Sequence, residues 1–172
     1  MQPPGHLTTY LSFELPFAQR EDFRAGRLVG EWSSRYPTLF DARDTETALN
    51  QPNYHFYEWA TAVHLLENHG LHSVHEGYAY KSHPKKRDRV TSIVGAAWPR
   101  FVAGLGRYDA FRCPDLFVYR AGTDDWFFCE VKGPGDSLSD SQRTFFDELN
   151  AALGRPVCLA AVALDPRKPL PV

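Results

Sequence analysis

Two short apolar runs separated by four turn residues constrain this chain more than any other feature. Leu116–Arg120 and Trp126–Val131 are rich in aromatic and β-branched residues, and Ala121-Gly122-Thr123-Asp124 lies between them. Runs of that composition around a loop of that length predict an antiparallel β-hairpin. With Arg120 opposite Asp125, Tyr119 faces Trp126, Phe117 faces Phe128 and Asp115 faces Glu130. Facing residues share one side of a sheet with Cβ atoms about 5 Å apart. Lys132, two residues beyond Glu130, falls on that side too. The other side carries Leu116, Val118, Phe127, Cys129 and Val131 and reads as core.

This register sets two carboxylates side by side at a strand end. Like charges placed opposite each other destabilise a strand pair by up to about 1 kcal/mol. A hard divalent cation between them removes the conflict, because Mg²⁺ and its relatives take carboxylate oxygens. A neighbouring lysine can orient a water or balance charge developing on a phosphate. Taken singly, each residue has an ordinary explanation: Asp115 after Pro114 as a turn residue, Glu130 and Lys132 as a solvated strand face. The three together in one register favour a site.

Pro114-Asp115 followed by Glu130-Val131-Lys132 resembles the PD-(D/E)xK nuclease signature, and the continuation from Glu130 to Gln142, EVKGPGDSLSDSQ, is similar to the VRR-Nuc branch of that superfamily. The likeness runs from Asp115 to about Gly154 and is diffuse upstream. Where the family usually has Gly before Pro-Asp, this chain has Cys113. The resemblance implies an α/β, restriction-endonuclease-like, three-layer fold with a central mixed β-sheet flanked by helices. It also implies a DNA nuclease dependent on Mg²⁺ or Mn²⁺, with Asp115 and Glu130 as metal ligands and the main-chain carbonyl of Val131 as a further one. Lys132 would orient or activate the attacking water. A Glu on the first helix completes the metal site in such nucleases, and Glu58 has the matching placement, ahead of Glu67 and Glu76. A solvent-facing helical Glu is the plain alternative for Glu58. The family also carries a Gln near its centre, which matches Gln142. Capping explains Gln142 without chemistry, since Ser139-Asp140-Ser141-Gln142 is a capping box.

The remaining chain supplies the other layers. Phe56, Trp59, Ala60, Val63 and Leu66 recur at helical spacing before a Gly70 stop. Leu71–Tyr80 alternates as a strand. Lys81–Arg89 reads as a basic loop, and Ser92–Leu105 as a helix that Pro99 kinks or splits. After the hairpin, Gly133-Pro134-Gly135-Asp136 is a turn. A helix spans Asp140–Leu153 with Gly154 at its C-terminal cap, and Val157–Leu164 reads as a buried strand. Residues 1–50 read as an N-terminal helical cap or extension, with short amphipathic segments near Ala18–Ala25 and Thr45–Gln51, and residues 51–172 as the nuclease domain.

Charge is distributed unevenly: Lys and Arg number five against ten Asp and Glu over residues 1–80, eight against two over 81–112, and six against nine over 113–172. A basic segment directly before an acidic centre suits a phosphate backbone, so Lys81, Lys85, Lys86, Arg87 and Arg89 are the nucleic-acid-binding candidates. A solvated loop is the alternative. Three cysteines with no metal-ligand spacing point to neither a disulfide framework nor a zinc site. His64, His69, His72 and His75 run from a helix through a turn into a strand, which suits ordinary histidines better than a shared metal. No apolar run is long enough for a membrane span, and the N-terminus lacks signal-peptide features, so the expectation is a cytoplasmic protein with no membrane partner.

Two settings fit a DNase. One is a bacterial effector toxin, delivered into a target cell by a secretion system and countered by a cognate inhibitor (immunity) protein. The other is repair or junction resolution by a structure-specific nuclease. Homodimerisation would allow two strands to be cut. A non-catalytic nucleic-acid-binding module is the alternative outside enzymology, although such a module should have lost one of Asp115, Glu130 and Lys132.

Overall fold

The aromatic hairpin forms in the expected register, with Phe117 opposite Phe128 and Tyr119 opposite Trp126. A computed structural model describes residues 7–106 and 109–170. In chain order its elements are β1 (Leu7–Pro16), α1 (Phe17–Arg24), α2 (Arg27–Arg35), α3 (Ala42–Asn50), α4 (Phe56–His69), β2 (His72–His75), α5 (Pro84–Val94), α6 (Ala97–Ala103), β3 (Leu116–Tyr119), β4 (Trp126–Lys132), α7 (Asp140–Leu153) and β5 (Val157–Asp165), with a 3₁₀ turn at Asp109–Arg112. The sheet order is β1-β5-β4-β3-β2. β1, β5 and β4 run parallel, whereas β3 is antiparallel to both β4 and β2. This is the expected mixed sheet of an α/β, restriction-endonuclease-like fold.

Side chains alternate across this sheet and both faces are covered. Leu116, Val118, Cys129, Val131, Ala160 and Val162 point into a core shared with Phe23, Trp32 and Trp59 of α1, α2 and α4. Phe117, Trp126, Phe128 and Val157 point into a second core with Val90, Trp98, Phe145, Phe146 and Leu149 of α5, α6 and α7. The hairpin side bearing Phe117 and Phe128 is therefore core as well, and only its last positions are left for chemistry. A strand with helices on both faces reads as a continuous apolar run, which is the pattern of WFFC (126–129).

Four local expectations differ from what forms. Within residues 1–50, Leu7–Pro16 is a strand along β5 rather than part of a helical cap. Its period-2 signal is visible: Leu11, Phe13 and Leu15 pack on the first core while Ser12 and Glu14 are exposed. The strand expected over Leu71–Tyr80 ends at His75, and Gly77 turns the chain at φ 80°. The expected basic loop is helical from Pro84, because proline at the first helical position has its φ already set and needs no N–H partner. The next helix divides at Gly95, not at Pro99, which sits in the first turn of α6, where no intrahelical N–H bond is lost. By contrast, α7 has the expected bounds, with Ser139 capping one end and Gly154 in the left-handed conformation at the other.

Candidate active site

The β3–β4 ladder stops at the pair Leu116–Cys129, and one step further the side chain of Asp115 takes over. Its Oδ2 accepts a hydrogen bond from the Val131 main-chain N–H at 2.7 Å. Glu130 lies beside it, only 3% exposed. Glu130 Oε1 is 2.7 Å from the Lys132 ammonium and accepts a second bond from Gln142 Nε2, also at 2.7 Å. The sheet register thus brings Asp115, Glu130 and Lys132 together at one strand end.

Gln142 holds two posts at once. Its side-chain oxygen accepts from the Ser139 N–H at 3.1 Å, closing the capping box, and its side-chain nitrogen reaches Glu130. An amide has a separate acceptor and donor, so cap and site contact do not compete. The helix start and the site are one construction.

Charge balance at this strand end is poor. Burial raises the Asp115 carboxyl well above the usual range, and Glu130 and Glu58 push it further in the same direction; the Val131 N–H and Lys132 offset only part of this. Burial also raises Glu130, against the pull of Lys132, Gln142 and the Asp115 main-chain amide. Glu58, in the first turn of α4, therefore lies within the electrostatic reach of Asp115, as its expected role requires. What brings α4 so close is Gly133. A Cβ there would fall 2.6 Å from the ring of Tyr57, so the absence of a side chain lets that ring rest on the chain just past Lys132 and sets Glu58 at the edge of the centre.

A divalent cation suits this donor set: two crowded carboxylates, Glu130 buried and Asp115 half-buried, with a third nearby, all hard oxygen ligands. The carboxylates are not drawn into a closed cage, since among the described residues no three His, Cys, Asp or Glu side chains already form a metal-holding group. The four histidines do not gather at one point: the His64 ring stacks on Phe13 with centroids 4.1 Å apart and lies 5.7 Å from that of His69, His72 stacks on Tyr119 at 5.6 Å, and His75 is buried beside Asp44.

The basic segment is not gathered at the carboxylates. Lys86 corrects the sequence reading outright: it is 8% exposed and bonds Asp44 and the main-chain carbonyls of His75 and Glu76. A lysine so placed has no donor to offer a phosphate. It turns inward because the α5 register points it at the carboxylate of Asp44, another buried side chain. Arg89 lines a groove with His72, Tyr119 and Ala121, at the hairpin-turn end of β3, roughly 13 Å along the strand from Asp115 at about 3.3 Å per residue. Lys85 and Arg89 also share a shallow groove with Pro37 and Thr38. Lys81 lines a cavity of about 580 Å³ with Tyr80 and Phe111.

Sequence reasoning passed over two positioning residues. The Tyr78 hydroxyl, fully enclosed, donates to the Pro114 carbonyl at 2.6 Å and anchors the turn that presents Asp115. Tyr57 packs on Gly133 as described. No local pattern marks Tyr78; the adjacency of Tyr57 to Glu58 was the available hint.

A mixed sheet between two helical layers, with Asp, Glu and Lys converging at the end of its central hairpin, is the arrangement of the PD-(D/E)xK nuclease superfamily. The model of the VRR-NUC domain matches residues 61–164, and the chain belongs to that family. The matched span holds Asp115, Glu130, Lys132 and Gln142, while Glu58 lies just ahead of it. No curated protein matches the chain. Nucleases of this superfamily generally use divalent metals. No helix among the described residues is long and apolar enough to cross a membrane.

Proposed function

We propose that this protein is a Mg²⁺- or Mn²⁺-dependent endodeoxyribonuclease. The observation that carries the reading is the pair of under-compensated carboxylates, half-buried Asp115 and buried Glu130, with a lysine in contact. A divalent cation would compensate such a pair. Asp115 and Glu130 would hold it, with Glu58 as a third ligand and the main-chain carbonyl of Val131 as a fourth. When bound, the metal supplies Lewis acidity and a lowered water pKa.

The chain's own groups do the rest. Gln142 and Lys132 fix the orientation of Glu130. Lys132, with its ammonium at the centre and its side chain 20% exposed, orients the attacking water and offsets charge on the phosphate oxygens. The exposed Lys81, Lys85 and Arg89 and the half-buried Arg87 contribute an attractive field for DNA.

Supercoiled plasmid incubated with Mg²⁺ or Mn²⁺ tests this. The unsubstituted protein should nick it, and Lys132→Ala should slow cleavage about 100-fold or more, as loss of one donor that stabilises developing charge does. Cleavage by Lys132→Ala at the unsubstituted rate overturns the assignment. Expression in bacteria reads the setting. Growth arrest abolished by Glu130→Ala supports an effector toxin and its inhibitor partner, and normal growth supports a repair or junction-resolving enzyme.

A further inference from the structure

Beyond the carboxylate centre, on the Glu58 side, lies a cleft of about 400 Å³ lined by Glu58, Tyr54, Tyr57, Asp136 and Arg20. Arg20 comes from α1, in the amino-terminal part of the chain that lies outside the family match. Its guanidinium carbon sits 5.9 Å from the centre of the Tyr57 ring, the same ring that packs on Gly133.

Arg20 differs from its neighbours in what it touches. Arg24 pairs with Glu21 at 3.2 Å, Arg27 with Asp22 and Arg35 with Glu67 at 3.6 Å. Arg20 forms no ion pair and donates no hydrogen bond among the described residues, although Glu58 and Asp136 line the same cleft. It is half-buried. A guanidinium held on an aromatic face keeps its plane fixed and its five donors available, and that fork matches phosphate oxygens. Arg20 stands beside the proposed ligand Glu58, whereas Arg89 lies toward the opposite strand end.

We propose that Arg20 binds a DNA backbone phosphate adjacent to the one being cut, with Tyr57 holding its guanidinium in place. The assignment rests on the nuclease reading above. It makes the amino-terminal segment part of the substrate grip.

The test is the salt dependence of DNA binding, measured with a short duplex and Mg²⁺ in a Lys132→Ala background. Loss of one phosphate contact lowers the steepness of log K against log salt by about 1. Arg20→Ala and Arg20→Gln should both show that change, Arg20→Lys should keep the slope, and Arg24→Ala on the same helix should leave it untouched. Metal uptake by calorimetry should match the parent protein in every Arg20 variant, since a role limited to balancing Glu58 and Asp136 would alter metal uptake instead. An unchanged slope in Arg20→Ala and Arg20→Gln overturns the proposal, as does an equal fall in Arg24→Ala. No DNA binding by the unsubstituted chain overturns both this proposal and the nuclease reading. A slope change in the Arg20 variants alongside full-rate cleavage by Lys132→Ala sinks only the catalytic assignment.

Discussion

Asp44 with Lys86, and Glu130 with Lys132, are each a buried carboxylate touching a lysine ammonium, yet the two carboxyls shift in opposite directions. Burial alone would raise Asp44, but His75 and Lys86 outweigh it and hold the carboxyl well below its usual range. At the other site burial and the neighbouring acids win, and both Asp115 and Glu130 are raised. The difference is stoichiometry. One carboxylate meets a lysine and a histidine in the first case; two carboxylates and the field of a third share one lysine in the second. A balanced cluster joins α3, β2 and α5 as structure. An unbalanced one stores a demand for positive charge, which a metal ion and a substrate-orienting lysine can meet.

Exchanging the roles of the two lysines is the strongest way to break that comparison. Lys132→Ala should cost about 100-fold or more in cleavage, with a smaller loss of melting temperature than Lys86→Ala, because burial already raises the Glu130 carboxyl and makes protonation a less costly response to losing its partner. Lys86→Ala should do the reverse. It breaks a buried ion pair and leaves Asp44 with His75 alone, a change that costs up to about 3–5 kcal/mol, or roughly 6–20 °C in Tm for a chain of this size. Cleavage per folded molecule should survive at low temperature. Calorimetry and plasmid nicking on both variants check the pair, and equal Tm losses would remove the distinction.

The pH dependence carries the same contrast with its sign reversed. The depressed Asp44 stabilises the fold above its unfolded pKa of about 3.9, and that contribution is lost as pH falls toward the depressed folded value. The raised Asp115 and Glu130 carboxyls bind protons more tightly in the fold than in the unfolded chain, so without metal they favour the fold at low pH and the benefit fades as pH rises above about 4. Asp115→Asn should therefore raise the metal-free Tm at neutral pH while abolishing metal uptake. Metal binding must displace these protons, so affinity for Mn²⁺ should increase with pH, with proton release seen by calorimetry in buffers of different ionisation enthalpy. Metal affinity independent of pH would contradict the raised carboxyls.

Gln142 offers the smallest and most selective effect. Gln142→Ala loses the capping reciprocity and the Glu130 bond, about 1 kcal/mol by the usual worth of such contacts. Gln142→Glu keeps an acceptor for the Ser139 N–H but sets a further carboxylate against Glu130. It should retain the helix and lower cleavage more than Gln142→Ala does. If the two variants cleave alike, Gln142 serves as a cap and no more.

Much of this site was legible before any coordinates, for a local reason. The hairpin register follows from a turn length and a period of two, so placing Asp115 opposite Glu130 required only residues 115–132. Likewise the bounds of α7 follow from Ser139, Gln142 and Gly154, whose effects reach one turn. Lys86 was misread because its partner, Asp44, lies 42 residues away, and nothing in a basic run says which member turns inward. The pairing of Leu7–Pro16 with Val157–Asp165 joins opposite ends of the chain, so an alternating pattern that could be seen at one end had no visible mate.

What the sequence by itself determined is the chemistry of the hairpin end: a carboxylate pair, a lysine and a cap within 28 residues, positioned by backbone periodicities that act locally. The tertiary structure alone decided which charges are compensated. It buried Lys86 against Asp44, rested Tyr57 on Gly133 so that Glu58 reaches the field of Asp115, and left Arg20 in the adjoining cleft with no ion pair among the described residues. Compensation depends on distances between side chains far apart in sequence and on how much water is excluded around them, and both arise only when the layers pack.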